Sequence, residues 1–317
     1  MNNFWQKLTK PIFALAPMAD VTDAAFRYLI AKTGKPHVMW TEFVSADGLA
    51  LAPEEGRKKL LLDLKYSEIE RPIVAQFFTA SPEHMKKAAE LANELGFDGI
   101  DINMGCPDRS IERQGAGAAL LKNAKLAREV LRAAKEGAEG LPVSIKTRIG
   151  YNKPELDTWL SEILKEEPAV VTIHARTRKE MSKVPARWEF VKRAVEIRDE
   201  MNSKTLIFGN GDVMNVDEAQ KRTVETGCDG VMLGRAIFGN PWLFAKRTPA
   251  LEEKLNTLVE HVKLFEEMLG HIKNFAIMKK HFKAYINGFD GAVELRGKLM
   301  EANNAGEVEK IIKEFLG

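Results

Sequence analysis

Eight short apolar runs recur along the first three quarters of the chain, and their rhythm constrains the fold more than any other feature. The runs occupy residues 12–16, 38–44, 72–78, 99–104, 142–148, 169–175, 205–210 and 230–235. Each is rich in β-branched or aromatic residues and is bounded by Gly, Pro or polar turns, as strands are. Several are continuously apolar rather than alternating, which is typical of strands buried on both faces of a parallel sheet.

Stretches with a helical period and a charged face separate these runs. Clear examples are residues 82–95, 124–138 and 216–226. The first begins with Ser81 and Pro82, a favourable N-cap followed by a proline at the first helical position. Eight strands alternating with helices predict an α/β fold. A doubly wound open sheet is the competing architecture, but the number of strands favours a (β/α)8 TIM barrel.

The pattern changes after the last strand. From residue 251 onward, apolar residues are spaced by three and four positions, which predicts a long amphipathic helix. Residues 291–303 and 306–316 predict two further helices. We therefore expect a catalytic barrel over residues 1–245, followed by a small all-helical domain over residues 246–317.

Composition excludes several classes of protein. The net charge of +2 on 317 residues gives no support for nucleic-acid binding. The two cysteines, Cys106 and Cys228, lie far apart and outside any CxxC pattern, which argues against a disulfide framework or a metal site and suits a reducing compartment. Pro17 interrupts the N-terminal apolar run, so we expect neither a leader peptide nor a membrane anchor. A cytoplasmic monomer is the expectation.

Polar residues gather where the predicted strands end. In barrels of this kind the active site is built from the loops at the carboxyl ends of the strands. The residues found there, strand after strand, are Pro17, Met18 and Ala19, then Gln76, Asn103, Cys106, Lys146, Arg148, His174, Arg176, Asn210, Gly211, Asp212, Gly234 and Arg235. The sequence therefore predicts a polar site at this face.

The loops after the seventh and eighth strands predict a phosphate site. Residues 209–212 read Gly-Asn-Gly-Asp and precede a helix whose N-terminal N–H groups suit an anion. Gly234 and Arg235 follow one unit later and supply a positive charge. The alternative, a plain tight turn at residues 209–212, is less favoured because such barrels commonly bind phosphate at these two loops.

Two further residues indicate a charged cofactor. Lys146 lies inside an apolar strand, where a buried ammonium is costly without an anionic partner. It suits negative charge on a cofactor such as a reduced flavin, whereas the alternative is a lysine that reaches solvent from the strand end. His174 is either a strand-end histidine or a site residue, and the nearby Arg176 favours the site.

Cys106 has three interpretations at this point: a buried structural thiol, a nucleophile or a proton donor. Its position after Gly105 and before Pro107, beyond a strand end, favours chemistry. A nucleophile needs a nearby base, and the sequence does not show whether His174 is close. An unactivated thiol stays protonated at neutral pH and can deliver a proton. The two chemical roles are equally supported by the residues.

The chain resembles the tRNA-dihydrouridine synthases over essentially its whole length. The motifs that carry the resemblance are LAPMADVTDAAFR (15–27), TEFVSADGL (41–49), VAQFF (74–78), INMGCPDRSIERQGAGAALL (102–121), VSIKTRIGY (143–151), TIHARTR (172–178), FGNGDV (208–213), DGVMLGRAIFGNPWLF (229–244) and KKHFKAYINGFDGAVELR (279–296). One departure is Ala19-Asp20, where the family usually has Ala-Gly.

The resemblance implies an FMN-dependent oxidoreductase in which NADPH reduces the flavin and the flavin passes hydride to C6 of a uracil in tRNA. Cys106 would protonate C5. The resemblance implies cofactor contacts from Pro17, Met18, Ala19, Gln76, Lys146, His174, Asn210, Gly211, Asp212, Gly234 and Arg235, and substrate contacts from Asn103 and Arg176. The loop over residues 109–117 would be a mobile carrier of the cysteine.

Partner predictions rest on the helical tail. Lys279, Lys280 and Lys283 are the candidate tRNA phosphate contacts, although an ordinary exposed helix face would look similar. Two alternatives are an FMN-dependent barrel oxidoreductase acting on a free pyrimidine or another small molecule, and a tRNA-binding protein without catalysis. The tail argues against the first alternative, and Cys106 with the phosphate loops argues against the second.

Overall fold

A computed structural model describes residues 3–317. Its centre is one sheet of eight parallel strands: β1 (Ile12–Leu15), β2 (Met39–Ser45), β3 (Ile73–Phe78), β4 (Gly99–Met104), β5 (Val143–Arg148), β6 (Val170–His174), β7 (Leu206–Asn210) and β8 (Gly230–Leu233). The strands follow one another in chain order around the sheet, and β8 pairs with β1. A parallel bridge between Ala14 and Val38 joins β1 to the start of β2, so the sheet curls round into a barrel. The predicted barrel is confirmed.

Thirteen helices surround and follow the strands within residues 3–317. They are α1 (Ala24–Gly34), α2 (Ala46–Leu51), α3 (Glu54–Leu62), α4 (Pro82–Glu94), α5 (Arg109–Arg113), α6 (Ala124–Gly137), α7 (Leu156–Leu164), α8 (Glu189–Glu200), α9 (Val216–Thr226), α10 (Leu251–Leu269), α11 (Lys279–Tyr285), α12 (Ala292–Glu301) and α13 (Ala305–Leu316). The Ser81 hydroxyl accepts from the His84 N–H, so α4 has the predicted cap. No helix in the described part of the chain has the length and apolar character needed to cross a membrane.

Apolar side chains fill the barrel toward the amino ends of the strands. Trp5, from a short N-terminal 3-10 helix, packs against Trp40 at 5.9 Å and against Phe208 at 5.7 Å between ring centroids. All three are buried. Because this end is closed by packing, the carboxyl ends of the strands provide the face on which polar groups meet.

Helices α10 to α13 pack around an apolar cluster of their own. Leu255, Phe265 and Phe282 belong to it, and so do Ala25 and Leu62 from the barrel helices α1 and α3. The three helices predicted for this region are present, and the short α11 is an addition. The division of the chain into two domains at residues 245 and 246 stays a prediction, since the cluster includes side chains from both sides of that boundary.

A buried ion cluster, composed of Glu42, Asp63 and Lys273, joins the helical region to the barrel. The Lys273 Nζ lies 2.9 Å from Glu42 Oε2 and 2.6 Å from Asp63 Oδ1. The other Glu42 oxygen, Oε1, accepts from the Asp20 N–H at 2.5 Å. One carboxylate therefore holds both the loop after β1 and a lysine from the segment between α10 and α11.

A buried histidine pair lies at the same junction. The His261 ring on α10 stacks on Phe26 of α1 at 4.6 Å, and His281 on α11 lies 4.6 Å from His261. Neither imidazole has a hydrogen-bond partner within residues 3–317, and the same holds for the Tyr285 hydroxyl. Burial lowers the pKa of His281 to about 3 and that of His261 well below its usual value. Both rings are therefore neutral at physiological pH.

Candidate active site

A cleft of about 240 Å³ opens at the carboxyl ends of the strands. Ten of the predicted site residues line it: Pro17, Met18, Lys146, His174, Arg176, Asn210, Gly211, Asp212, Gly234 and Arg235. Five residues that the sequence did not single out line it as well: Ala16, Ser182, Val213, Met214 and Met232. Ala19, Gln76, Asn103 and Cys106 lie outside this lining set.

Asp212 organises the cationic end of the cleft. Its carboxylate pairs with the buried Arg176 and accepts from Arg235 Nη2 at 2.6 Å and from the Ala186 N–H at 2.8 Å. Partial burial disfavours the carboxylate, but the hydrogen bonds from Arg176 and Ala186 outweigh this, so the pKa of Asp212 lies below its usual value. The Asp212 carboxylate would itself repel a phosphate. Its effect at the site is therefore to orient the guanidinium groups of Arg176 and Arg235.

The backbone at Gly211 needs a glycine. Its φ of +129° lies in the region that L side chains rarely adopt, and an added Cβ would come within 2.8 Å of the Ala186 Cβ. The Trp188 Nε1 donates to the Gly211 carbonyl at 3.0 Å and fixes the turn. Because Gly211 has no Cβ, its main chain forms the wall of the cleft, and a ligand can approach the backbone closely there.

Lys146 stands at the middle of the cleft. Its Nζ donates to Asn210 Oδ1 at 3.2 Å, and Asn210 Nδ2 donates to the Met232 carbonyl at 2.8 Å. Burial, helped by the charge of Arg148, lowers the pKa of Lys146 to about 8. The ammonium is therefore charged at neutral pH, held by a neutral amide, and able to contact an anionic group.

His174 is a neutral imidazole with a defined tautomer. Burial and the charges of Lys146, Arg148 and Arg176 lower its pKa well below the usual value. The His174 Nε2 lies 3.1 Å from Arg176 Nη1. Because a guanidinium can only donate, Nε2 is the acceptor and the proton is on Nδ1. His174 therefore offers one N–H donor at the cleft.

A chain of hydrogen bonds runs behind the cleft from Asp101 to Cys106. Asp101 accepts from Ser144 Oγ at 2.6 Å and from Gln76 Nε2 at 2.5 Å. The Asn103 Nδ2 donates to Gln76 Oε1 at 3.0 Å, and Asn103 Oδ1 accepts from the Cys106 N–H at 2.9 Å. Asp101 was not among the predicted site residues, although a charged residue inside the apolar run 99–104 was a signal for it.

Cys106 is partly buried on a well-anchored backbone. Its carbonyl accepts from the Ala118 N–H at 2.9 Å, and an added Cβ on Gly117, which has a φ of +58°, would lie 2.8 Å from that carbonyl oxygen. Burial raises the pKa of the Cys106 thiol. The thiol is therefore protonated at neutral pH, which favours the proton donor over the nucleophile. Cys228 is a buried thiol that donates to the Gly230 carbonyl.

The three candidate tRNA lysines lie on α11, beside the loop that follows β1. The Lys280 Nζ is 3.8 Å from an Asp20 carboxylate oxygen, and Lys283 is exposed. Asp20 itself has a φ of +52°, a conformation that glycine adopts without strain. This explains why glycine suits the position in the family that the sequence resembles. The role of the lysines stays a prediction.

Comparison with known proteins supports this resemblance. A family model described as dihydrouridine synthase matches residues 14–316. The chain belongs to the dihydrouridine synthase family. It is 39% identical to the probable tRNA-dihydrouridine synthase 2 of Bacillus subtilis (strain 168), over 99% of this chain and 96% of that protein. It is 38% identical to the probable tRNA-dihydrouridine synthase of Staphylococcus aureus (strain MRSA252), over 99% and 95%. A solved variant of NCR from Zymomonas mobilis covers 75% of this chain with a TM-score of 0.49 and 16% identity.

Membership of the dihydrouridine synthase family confirms the predicted class, a flavin-dependent oxidoreductase. The residues that line the cleft suit a flavin. Ala16, Pro17 and Met18 offer an apolar surface for a flat ring system. At the other end, Gly211 exposes main chain and the Arg235 side chain, 63% exposed, offers a cation for an anionic tail.

Proposed function

We propose that this chain reduces a uridine of tRNA to 5,6-dihydrouridine, with FMN in the cleft and NADPH as reductant, in the cytoplasm and as a monomer. The observation that carries the proposal is a free, partly buried cysteine on an anchored loop, one strand away from a cleft with one apolar and one cationic end. Family membership and the names of the curated relatives support it.

The residues would hold FMN in two groups. Pro17, Met18 and Ala19 would lie along the ring, with Gln76, Lys146 and His174 as polar contacts to the ring or the ribityl chain. The phosphate end would be held by backbone N–H groups and by the exposed guanidinium of Arg235. The residues of this set are Asn210, Gly211, Asp212, Gly234 and Arg235. Asp212 would act in this set by orienting Arg235, to which it is hydrogen bonded at 2.6 Å.

Bound and reduced FMN would supply the hydride that goes to C6 of the uracil. Cys106 donates its Sγ proton to C5, so that one hydride and one proton complete the reduction of the C5–C6 double bond. The raised pKa of the thiol keeps this proton in place until negative charge develops on the base. Lys146, charged below about pH 8, stabilises negative charge in the cleft.

Substrate recognition would extend beyond the cleft. A uridine stacked in folded RNA must leave its stack to reach a site of this depth. Asn103, whose amide is fixed by Gln76 and by the Cys106 N–H, would face the flipped base, with Arg176 as a second substrate-side residue. Lys279, Lys280 and Lys283 on α11 would contact tRNA phosphates.

The test is a reconstituted reaction. The purified chain, supplied with FMN and NADPH, is incubated with unmodified tRNA transcript or with free uracil, and dihydrouridine is mapped position by position. We expect dihydrouridine at defined tRNA positions and little turnover of free uracil. Turnover of free uracil alone would overturn the tRNA assignment, and a colourless protein that does not take up FMN would overturn the proposed cofactor.

A further inference from the structure

Three loops meet around the segment that carries Cys106. Helix α5, only five residues long, lies between Cys106 and Gly117. The Glu112 side chain of α5 reaches Arg178 in the loop after β6, and that guanidinium lies over the ring of Tyr151 in the loop after β5. The Arg178 N–H donates to the Gly150 carbonyl at 2.9 Å, so these two loops are themselves joined by main chain.

The contact between α5 and these loops is an ion pair. The Arg178 Nε lies 2.8 Å and 2.9 Å from the two Glu112 carboxylate oxygens, and Nη2 makes a further short contact with the second oxygen. The Glu112 side chain is 10% exposed and that of Arg178 is 25% exposed. Two-point contact between a guanidinium and a carboxylate fixes direction as well as distance.

An aromatic ring completes the arrangement. The guanidinium of Arg178 lies 5.3 Å from the centroid of the Tyr151 ring, and the Lys122 Nζ, which follows the Cys106 segment, lies 4.5 Å from the same centroid. Both are cation–π distances. Tyr151 is thereby in contact with cations from two segments: Arg178 in the loop after β6 and Lys122 in the segment that follows Cys106.

We infer that Glu112 and Arg178 are positioning residues for the proton transfer: their ion pair fixes α5 and through it the place of the Cys106 thiol. The inference deepens the proposed function and rests on it for the step that the thiol performs. It differs from the sequence expectation of a freely mobile loop, because α5 is tied to a neighbouring barrel loop by two-point contact. Neither residue is among those that line the cleft.

The experiment compares Glu112→Gln and Arg178→Lys with the parent protein and with Glu166→Gln. Glu166 is a matched control, because it pairs with Arg128 and Arg132 on the outer helix α6 and its side chain is 12% exposed. Three quantities are measured: flavin reduction by NADPH, uridine reduction in a single turnover of the reduced holoenzyme, and the alkylation rate of Cys106 relative to Cys228.

We expect flavin reduction by NADPH to be unchanged in all variants. Uridine reduction should fall about tenfold or more in Glu112→Gln and Arg178→Lys, because displacement of a reacting group by about 1 Å has effects of this size. Cys106 alkylation should rise in the same two variants, and Glu166→Gln should match the parent. The charge-exchanged double variant, Glu112→Arg with Arg178→Glu, should recover part of the lost rate.

Parental values of both uridine reduction and Cys106 alkylation in Glu112→Gln would overturn the inference. A loss of uridine reduction without any change in alkylation, and without recovery in the double variant, would overturn it as well. If the parent protein itself fails to reduce uridine in tRNA, the proposed function fails, whereas the alkylation rates still decide whether the ion pair holds the cysteine in place.

Discussion

The buried histidine pair makes the stability of the fold dependent on pH. His261 and His281 are 0% exposed, lie between α1, α10 and α11, and have no hydrogen-bond partner within residues 3–317. Burial holds the pKa of His281 at about 3 and that of His261 well below its usual value of 6.5. In the unfolded chain both rings take up protons near pH 6.5.

The sign follows from proton uptake. Below pH 6.5 the unfolded state binds more protons than the folded state, so the free energy of unfolding falls as the pH falls. Above pH 6.5 the neutral histidines impose no such loss, and the free energy of unfolding keeps its full value with respect to these two groups. As the pH falls below 6.5, the free energy of unfolding decreases by about 1.4 kcal/mol per pH unit for each histidine, until the pKa of that histidine in the folded state is reached. At pH 5 the decrease amounts to about 2 kcal/mol for each ring and about 4 kcal/mol for the pair.

The perturbation is His281→Phe, which keeps a flat ring beside Phe26 and His261 but removes one titrating group. Urea unfolding, followed by tryptophan fluorescence at pH 7.5, 6 and 5, gives the free energy of unfolding of each protein. The difference between variant and parent should shift in favour of the variant by about 2 kcal/mol between pH 7.5 and pH 5. His271→Phe, at an exposed histidine, is the control.

The reasoning is refuted if the difference between His281→Phe and the parent is the same at pH 7.5 and pH 5. The absolute stability of the variant at pH 7.5 does not enter the test, because only its change with pH reports the buried titration. The size of the expected shift is also independent of how far below pH 5 the folded pKa lies, since an unprotonated ring contributes the same amount in either case.

Three further predictions concern the site. Cys106→Ala should accept electrons from NADPH at the parental rate yet reduce uridine at least about a hundredfold more slowly, since a positioned general acid contributes that much; equal rates of dihydrouridine formation would rule out the acid role. The affinity for FMN, measured by fluorescence quenching, should fall as the pH rises through about 8, where Lys146 loses its charge, and Lys146→Met should remove this dependence. Replacement of Lys279, Lys280 and Lys283 by Gln should weaken tRNA binding and reduce its salt dependence by up to about three in log–log slope, and an unchanged slope would exclude contact with phosphates.

The sequence predicted the fold well because the fold depends on local pattern. Each of the eight apolar runs overlaps a strand, and the cleft residues were found because they lie in the last residues of the strands or shortly after them. Helix α11 was not predicted as an element of its own, because seven residues are too few for a clear period. Element type was thus readable wherever a run was long enough to show its periodicity.

The unpredicted parts of the site depend on contacts between distant residues. Glu112 and Arg178 are 66 residues apart, and Trp188 reaches Gly211 across 23 residues. Neither pairing leaves a local signature. The burial of Cys106 was equally unpredictable, because spacing does not reveal burial, and burial, by raising the pKa of the thiol, favours the proton donor over the nucleophile.

The cluster of Glu42, Asp63 and Lys273 has a consequence for how the protein unfolds. The Glu42 side chain is 5% exposed and that of Lys273 is 13% exposed, so this ion pair between the helical region and the barrel lies largely out of contact with water. Removing one partner of such a pair while the other stays buried costs about 3–5 kcal/mol. We therefore expect the helical region and the barrel to unfold together, and the loop after β1, held by the same carboxylate, to stay ordered for as long as the helices remain docked.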